Sequence, residues 1–401
     1  ACTVLPGDCS LRGAITLANA QPDADTITFE PSVFGTSQTI YLNADLPQII
    51  ASVNIVGVGA NLLTIDGATS HRPFSIADGA TASISDLTIA HGSAVFGGGI
   101  QNLGSLTVTS VTFSANAATT GGGIHNGGAL LVSGSTFSGN SASGYEGGGA
   151  IFHGFGTATV LNSTFSSNNA VQRGGGISNW SPMTVTDSMF AGNIVSSGNG
   201  GGIYNWFSPL TVNSSTFTDN TASSGGGISN TNSGTVIVVN STFAANIASI
   251  GVGGGIYNYN SPLTVTDSTF ADNMAAAGSG GITHDGVSNP WLMTLNNTIA
   301  ADNTGGDCAI LGAAIIDMSH SLIKDGSCGA ANGLNGNLSG DPQLAPAGLA
   351  NNGGATQTIA LQPGSPAIDA GDNTLAVDAF DNPVAYDQRG AGFPRVVGDA
   401  V

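Results

Sequence analysis

Few side chains in this 401-residue chain have the chemistry for catalysis: 25 acidic residues stand against six cations, with six histidines and four cysteines. A β-elimination on an acidic sugar needs a cationic base beside calcium held by clustered carboxylates, and a glycoside hydrolysis needs two carboxylates facing one bond. Neither set is legible. Asp187 and Asp267 recur at equivalent places, as do Asp219 and Asp272, but two repeats or more separate the members of each pair. Arg173 is the only cation inside the regular repeats and is expected at a solvated corner. His153 and His284 take places that asparagine holds elsewhere, which points to hydrogen bonding at a corner and away from proton transfer. Binding chemistry is better represented, by Phe152, Trp180, Tyr204, Trp206, Tyr257 and Tyr259. Aligned along one edge, these aromatics suit the faces of sugar rings or another protein. Shielding of a corner beside Pro182, Pro209 and Pro262 explains them equally well.

The elements that carry these residues follow from a phenylalanine that returns every 24 to 28 residues, each time with asparagine three positions later: Phe113/Asn116, Phe137/Asn140, Phe165/Asn168, Phe190/Asn193, Phe217/Asn220, Phe243/Asn246 and Phe270/Asn273. Isoleucine extends the column to Ile65 and Ile89 upstream and to Ile299 and Ile323 downstream, so one repeat reads as one coil of a solenoid. A glycine run ending in isoleucine, such as Gly225 to Ile228, precedes each phenylalanine, and a second asparagine column (Asn102, Asn126, Asn179, Asn205, Asn230, Asn258) follows two residues beyond. Units such as Thr136-Phe137-Ser138 alternate with period two, which puts the ring inward and both hydroxyls outward. With stretches such as Leu106-Thr107-Val108-Thr109 between the columns, each coil is expected to hold three short strands. Glycine at 61 positions and the lack of 3.6-residue apolar spacing exclude a helical solenoid. The fold class is therefore all-β, a parallel β-helix of about eleven coils over residues 37–340, with caps at 1–36 and 341–401. Inward asparagines that bond to corner carbonyls and to the next coil's asparagine would act as staples.

Outward on the same strands runs a threonine column, Thr112, Thr136, Thr164, Thr216, Thr242, Thr269 and Thr298, partnered by Ser114, Ser138, Ser166 and Thr218. A flat threonine array is what an ice-binding surface requires, although Met189 interrupts this one and Ala244, Ala271 and Ala300 dilute its partner column. Threonine is also simply favoured on exposed strands.

The net charge of −19 reflects a scarcity of cations, and six scattered ones cannot neutralise a phosphate track, so no nucleic-acid partner is expected. No apolar run is long enough to span a bilayer, and the chain from Ala1 reads as a processed product. The cysteines fall in two close pairs without zinc spacing, Cys2 with Cys9 and Cys308 with Cys328, which favours disulfides and an oxidising, extracellular compartment. No cofactor is expected, with structural calcium left open.

Over about residues 85–305 the Gly-Gly-Gly-Ile and Phe-x-x-Asn units resemble the repeats of the polymorphic outer membrane protein family, whose passengers are right-handed β-helices displayed on bacterial surfaces. The resemblance implies that handedness and a surface location; export through a barrel of its own is not implied, since that family's C-terminal barrel is missing. Cys9-Ser10-Leu11-Arg12-Gly13-Ala14-Ile15 with Ala18-Asn19 is similar to the CSLREA-type segment that opens many secreted bacterial β-helices, with Gly13 in place of glutamate. Asp341-Pro342, Asn351-Asn352-Gly353-Gly354, Pro363 to Gly371 and Asp387-Gln388-Arg389-Gly390 look like the choice-of-anchor segment that ends such proteins. Pectate lyases and polygalacturonases share the architecture, so the fold leaves catalysis open and the site must decide. The expectation is a non-enzymatic structural or adhesive protein, secreted or attached to a cell surface, whose partners are surface glycan, protein or further copies of itself added head to tail into filaments. A carbohydrate-binding or lyase-like protein is the alternative, and an ice-binding one a minor alternative.

Overall fold

The repeated phenylalanines set the register. The computed structural model describes residues 9–21, 23–287 and 289–395, and its coils are those of an all-β parallel β-helix of about 11 turns. They divide into two compact units at Ser181/Pro182.

In the first unit Thr112–Ser114 pairs in parallel with Thr136–Ser138, and that strand with Thr164–Ser166, so Phe113, Phe137 and Phe165 lie level. Their rings stack with centroids 4.5 and 4.8 Å apart and only 2° between planes. In the second unit Phe190, Phe217, Phe243 and Phe270 repeat the stack at 4.7 Å. All seven rings are fully buried. Face-to-face offset contact at the strand spacing is what parallel, in-register pairing of one residue type imposes.

The asparagines beside them, Asn116, Asn140, Asn168, Asn193, Asn220, Asn246 and Asn273, are all fully buried as well. Each couples two coils. Asn140 Nδ2 donates to the Phe113 carbonyl of the preceding coil (3.0 Å) and to Asn168 Oδ1 of the next (2.9 Å). Asn220, Asn246 and Asn273 do the same in the second unit, reaching the carbonyls of Phe190, Phe217 and Phe243 at 2.9 Å. Asn193 feeds that series, its backbone and side-chain nitrogens both donating to Asn220 Oδ1 (3.0 and 2.8 Å). The ladder continues to Asn303 and ends on the Asp307 carboxylate, which accepts from both the backbone and the side-chain nitrogen of Asn303 (3.1 and 2.9 Å). Backbone groups that a tight corner would orphan are thereby satisfied.

The ladder begins at Asn116. Its forward bond is regular, Nδ2 donating to Asn140 Oδ1 (2.9 Å). The coil before it carries Ile89 in place of phenylalanine and Gly92 in place of asparagine. Asn116 Nδ2 therefore donates to the Ile89 carbonyl (2.9 Å), and its Oδ1 accepts from the Gly92 backbone N–H (2.8 Å) with no side-chain donor beside it. Asn116 is thus the first member of the ladder, and backbone alone completes its upstream side.

Corner geometry explains the recurrent acids. Asp187, Asp219, Asp267 and Asp272 all adopt left-handed backbone (φ 49 to 57°), as do Asn162, Asn240 and Asn297 at their corners; Asp and Asn tolerate that region better than other non-glycine residues. The glycine run has two separate causes. Its first member is left-handed, as at Gly225 (φ 64°), and its third faces the phenylalanine, so that a Cβ at Gly227 would sit 2.9 Å from the Phe243 ring.

Several further expectations are corrected. Coils carry three or four strands, because a two-residue strand such as Ser141–Ala142 or Thr221–Ala222 pairs between the asparagine and the glycine run. Phe270 pairs with Ala300, and Thr269 with Ile299, so Ala300 holds the inward place given to Ile299, and Thr298 lies outside the threonine column. Asp25–Thr28, inside the expected N-terminal cap, is already a rung paired with Val53–Val56. Helix Leu11–Ala18 packs Leu11, Ile15 and Ala18 inward. Its Arg12 guanidinium donates to the carbonyls of Ala44 (2.8 Å) and Asp45 (2.7 Å). Cys308 and Cys328 form a disulfide; Cys9 is disulfide-bonded too, while Cys2 lies outside the described residues.

The largest difference concerns the C-terminal segment. Its described residues return along the flank of the second unit as a strap, with an antiparallel pair Leu344–Ala350/Thr358–Leu361. Thr216 Oγ1 donates to the Gln357 carbonyl and Thr242 Oγ1 to Gln388 Oε1, both at 2.6 Å. Gln388 Nε2 donates in turn to Thr216 Oγ1 (2.8 Å). Thr216 and Thr242 are consequently buried, so the open threonine array expected across the protein is not present in the second unit. Thr112, Thr136 and Thr164 of the first unit stay half-exposed.

Phe217→Ala removes a ring packed on both faces, and a well-ordered stack cannot collapse into the gap. Urea denaturation is expected to show a loss of about 3–5 kcal/mol.

Candidate functional site

The aromatic edge of the first unit begins with register. Ile100, Ile124, Ile151 and Ile177 pair rung to rung, and these isoleucines fill the core. The next residues, Gln101, His125, Phe152 and Ser178, therefore share an outward column. His125 stacks on Phe152 (5.1 Å), Phe96 packs against His125 (5.0 Å), and Phe152 meets the Trp180 ring edge-on (5.7 Å).

Arg173 extends the row. Its guanidinium carbon lies 4.0 Å from the Tyr145 centroid and 5.6 Å from that of Trp180, and Nη2 donates to the Tyr145 hydroxyl. The solvated corner expected for Arg173 is thus corrected to a cation held against two rings. Six side chains, from Phe96 through His125, Phe152, Trp180 and Arg173 to Tyr145, touch in sequence. Phe152 is buried and serves as backing, whereas Phe96 and Tyr145 are exposed and Trp180 and Arg173 half-exposed.

Packing among rings keeps His125 neutral. Burial pushes its imidazole down to about 4, with the Arg72 charge acting in the same direction and a backbone hydrogen bond opposing. Its Nδ1 is buried without a partner.

The second unit places its aromatics differently. Tyr204, Ser229 and Tyr257 pair in one column, and Trp206, Thr231 and Tyr259 in another, so rings alternate with small hydroxyl residues and do not form a continuous strip. Tyr204 is buried, its hydroxyl accepting from Thr231 Oγ1 (3.1 Å). Trp206 packs edge-on against the exposed Phe207 (5.1 Å). Burial, with Asp285 and Tyr259 nearby, pushes Tyr257 up to about 12.

The histidines in the second asparagine column are hydrogen-bonded inside the coils. Asn126 Nδ2 lies 2.9 Å from His153 Nδ1. Asn258 Nδ2 donates to His284 Nδ1 (2.8 Å) and His284 Nε2 to the Trp291 carbonyl (2.8 Å), which describes a neutral imidazole protonated on Nε2. Among the described residues no three His, Cys, Asp or Glu side chains gather as a metal site would require.

Sequence reading missed Phe96, His125, Tyr145 and the stacked role of Arg173. The signal was available: Tyr145 to Arg173 and Phe137 to Phe165 are the same 28 residues apart, as are His125 to Phe152 and Ile124 to Ile151 at 27. Equal offsets mean adjacent rungs.

No protein-family model, curated protein or solved structure compared with the chain matches it.

His125 yields a pH prediction. Its pKa is lower folded than unfolded, so the stabilisation is complete above about 6.5 and is lost as pH falls toward about 4. Urea midpoints between pH 7 and pH 4.5 are expected to fall less steeply in His125→Gln than in the unsubstituted protein.

Proposed function

We propose that the protein is a secreted or surface-attached, non-enzymatic β-helix that adheres to glycan through the aromatic edge of its first unit. The observation that carries this reading is the row of rings closed by Arg173, where the guanidinium sits 4.0 Å over Tyr145 beside the half-exposed Trp180. Ring faces take the apolar face of a sugar, and a guanidinium carries five N–H donors that suit hydroxyl or carboxylate oxygens. An acidic chain with little competing positive charge makes this cation a distinctive point on its surface.

The disulfide between Cys308 and Cys328 suits an oxidising compartment. Surface display agrees with the likeness of the glycine and Phe-x-x-Asn units to polymorphic outer membrane protein repeats. The filament reading is weaker. Helix Leu11–Ala18 buries its apolar face against the first coils, so a second copy adding there would have to displace it. A lyase-like reading lacks a carboxylate cluster: among the described residues no three His, Cys, Asp or Glu side chains gather, and Asp187, Asp219, Asp267 and Asp272 sit at left-handed corners.

A glycan array probed with the labelled protein tests the proposal. Trp180→Ala and Arg173→Ala are each expected to weaken binding about tenfold, a loss on the order of 1.4 kcal/mol, while Trp206→Ala leaves it unchanged. Equal binding by all three variants would remove the aromatic edge as the contact.

A further inference from the structure

The strap of the second unit is pinned to its flank by direct hydrogen bonds over Thr216 and Thr242. It is held again at the Asn297 corner, where Asn297 Nδ2 donates to the Asp372 carbonyl (3.0 Å) and Asp372 N to Asn297 Oδ1 (2.9 Å). Between these contacts the strap and the flank leave a cleft of about 570 Å³, within the range of small-molecule sites. The floor is a register column: Thr269 pairs with Ile299, Ile299 with Leu322 and Leu322 with Leu338. Four rungs at about 4.8 Å span about 14 Å. Leu344, Ile359, Leu361 and Ile368 line the cleft from the strap.

These aliphatic side chains face one another without sealing. Ile299, Leu338, Leu344, Ile359 and Leu361 are only half-buried, and Ile368 is 46% exposed at the mouth. Two layers that merely cap each other would gain by closing over such surface. The polar groups around the cleft are only partly satisfied: Asp267 Oδ2, His320 Nδ1 and Arg395 Nε are buried without a partner among the described residues. Arg395 pairs with Asp267, and Arg389 with Asp387, both at 2.5 Å. Asp369, exposed at the mouth, makes no ion pair among the described residues and leaves the rim negative.

We propose that this cleft is a binding site for the alkyl chain of an amphiphile with a neutral headgroup, the chain lying along Ile299, Leu322 and Leu338 and the headgroup beside Asp369. An anionic headgroup is disfavoured by Asp369 and by the net charge of −19. A bare sugar could meet the polar groups of the cleft but would leave Ile299, Leu338, Leu344, Ile359 and Leu361 uncovered. The site is separate from the aromatic edge and does not depend on the reading made of it.

Isothermal titration with monomeric n-decyl glucoside, below its micellar concentration, tests the assignment on the full chain. One molecule is expected to bind per chain; glucose alone gives no heat, and decanoate binds at least tenfold more weakly. Ile368→Asp, at the exposed mouth where folding is not at stake, is expected to weaken binding about tenfold, Ile299→Trp to abolish it by filling the trough, and Trp180→Ala to leave it intact. Absence of binding to the unsubstituted protein overturns the proposal. So does binding that survives Ile368→Asp unchanged, which would place the alkyl chain elsewhere.

Discussion

Every other feature of this protein depends on the inward asparagine amide. At each corner within the ladder one side chain donates to the phenylalanine carbonyl of the coil before it and to the asparagine of the coil after it, while its own carbonyl oxygen receives the backbone and side-chain nitrogens of the preceding asparagine. Both halves of the amide are used, so the corner can be buried without orphaned groups. The three-residue offset from phenylalanine follows from this, because the ring on one rung and the amide at the next corner must lock the same pair of coils. No carboxylate can serve within the ladder, since it cannot donate; Asp307 appears where the ladder stops and only acceptors are needed. The opposite end is simpler, since Asn116 needs only the Gly92 N–H and the Ile89 carbonyl to begin the series.

A core this uniform leaves individuality to the outside. The first unit uses its glycine-corner edge to hold rings and a guanidinium in line, and its rigidity comes from strands whose register the isoleucines fix. The second unit spends the same outward threonines on docking a strap, with Gln388 bridging Thr216 and Thr242 on neighbouring rungs. Identical repeats thus carry different surfaces because only inward positions are constrained by stacking.

The coil architecture was readable from spacing alone, since Phe217, Phe243 and Phe270 and their asparagines must stack if one repeat is one coil. Reading failed where stacking does not speak. Ile299 looked like the next inward residue, yet Asn303 must fall on the ladder, and the three-residue offset then places Ala300 inside and Ile299 on the flank. Two-residue strands such as Ile247–Ala248 are too short for any alternation to show. The aromatic edge was half legible. Phe152 and Trp180 stood out as rings, whereas Arg173 and His125 needed comparison across coils of unequal length. The strap could not be placed at all, because Gln357 and Gln388 lie more than 140 residues from the threonines they bind and carry no periodicity.

Native-state hydrogen exchange on Asn246→Ala tests the amide ladder most directly. If the ladder holds the coils, loss of this one side chain leaves the Phe217 carbonyl and the Asn220 backbone N–H without their partner. Exchange should then quicken at residues 217–222 and 243–248, while residues 100–126 keep their protection. Protection identical to that of the unsubstituted protein around Asn220 would show that strand pairing and ring stacking hold the coils without the amides, and would contradict the account.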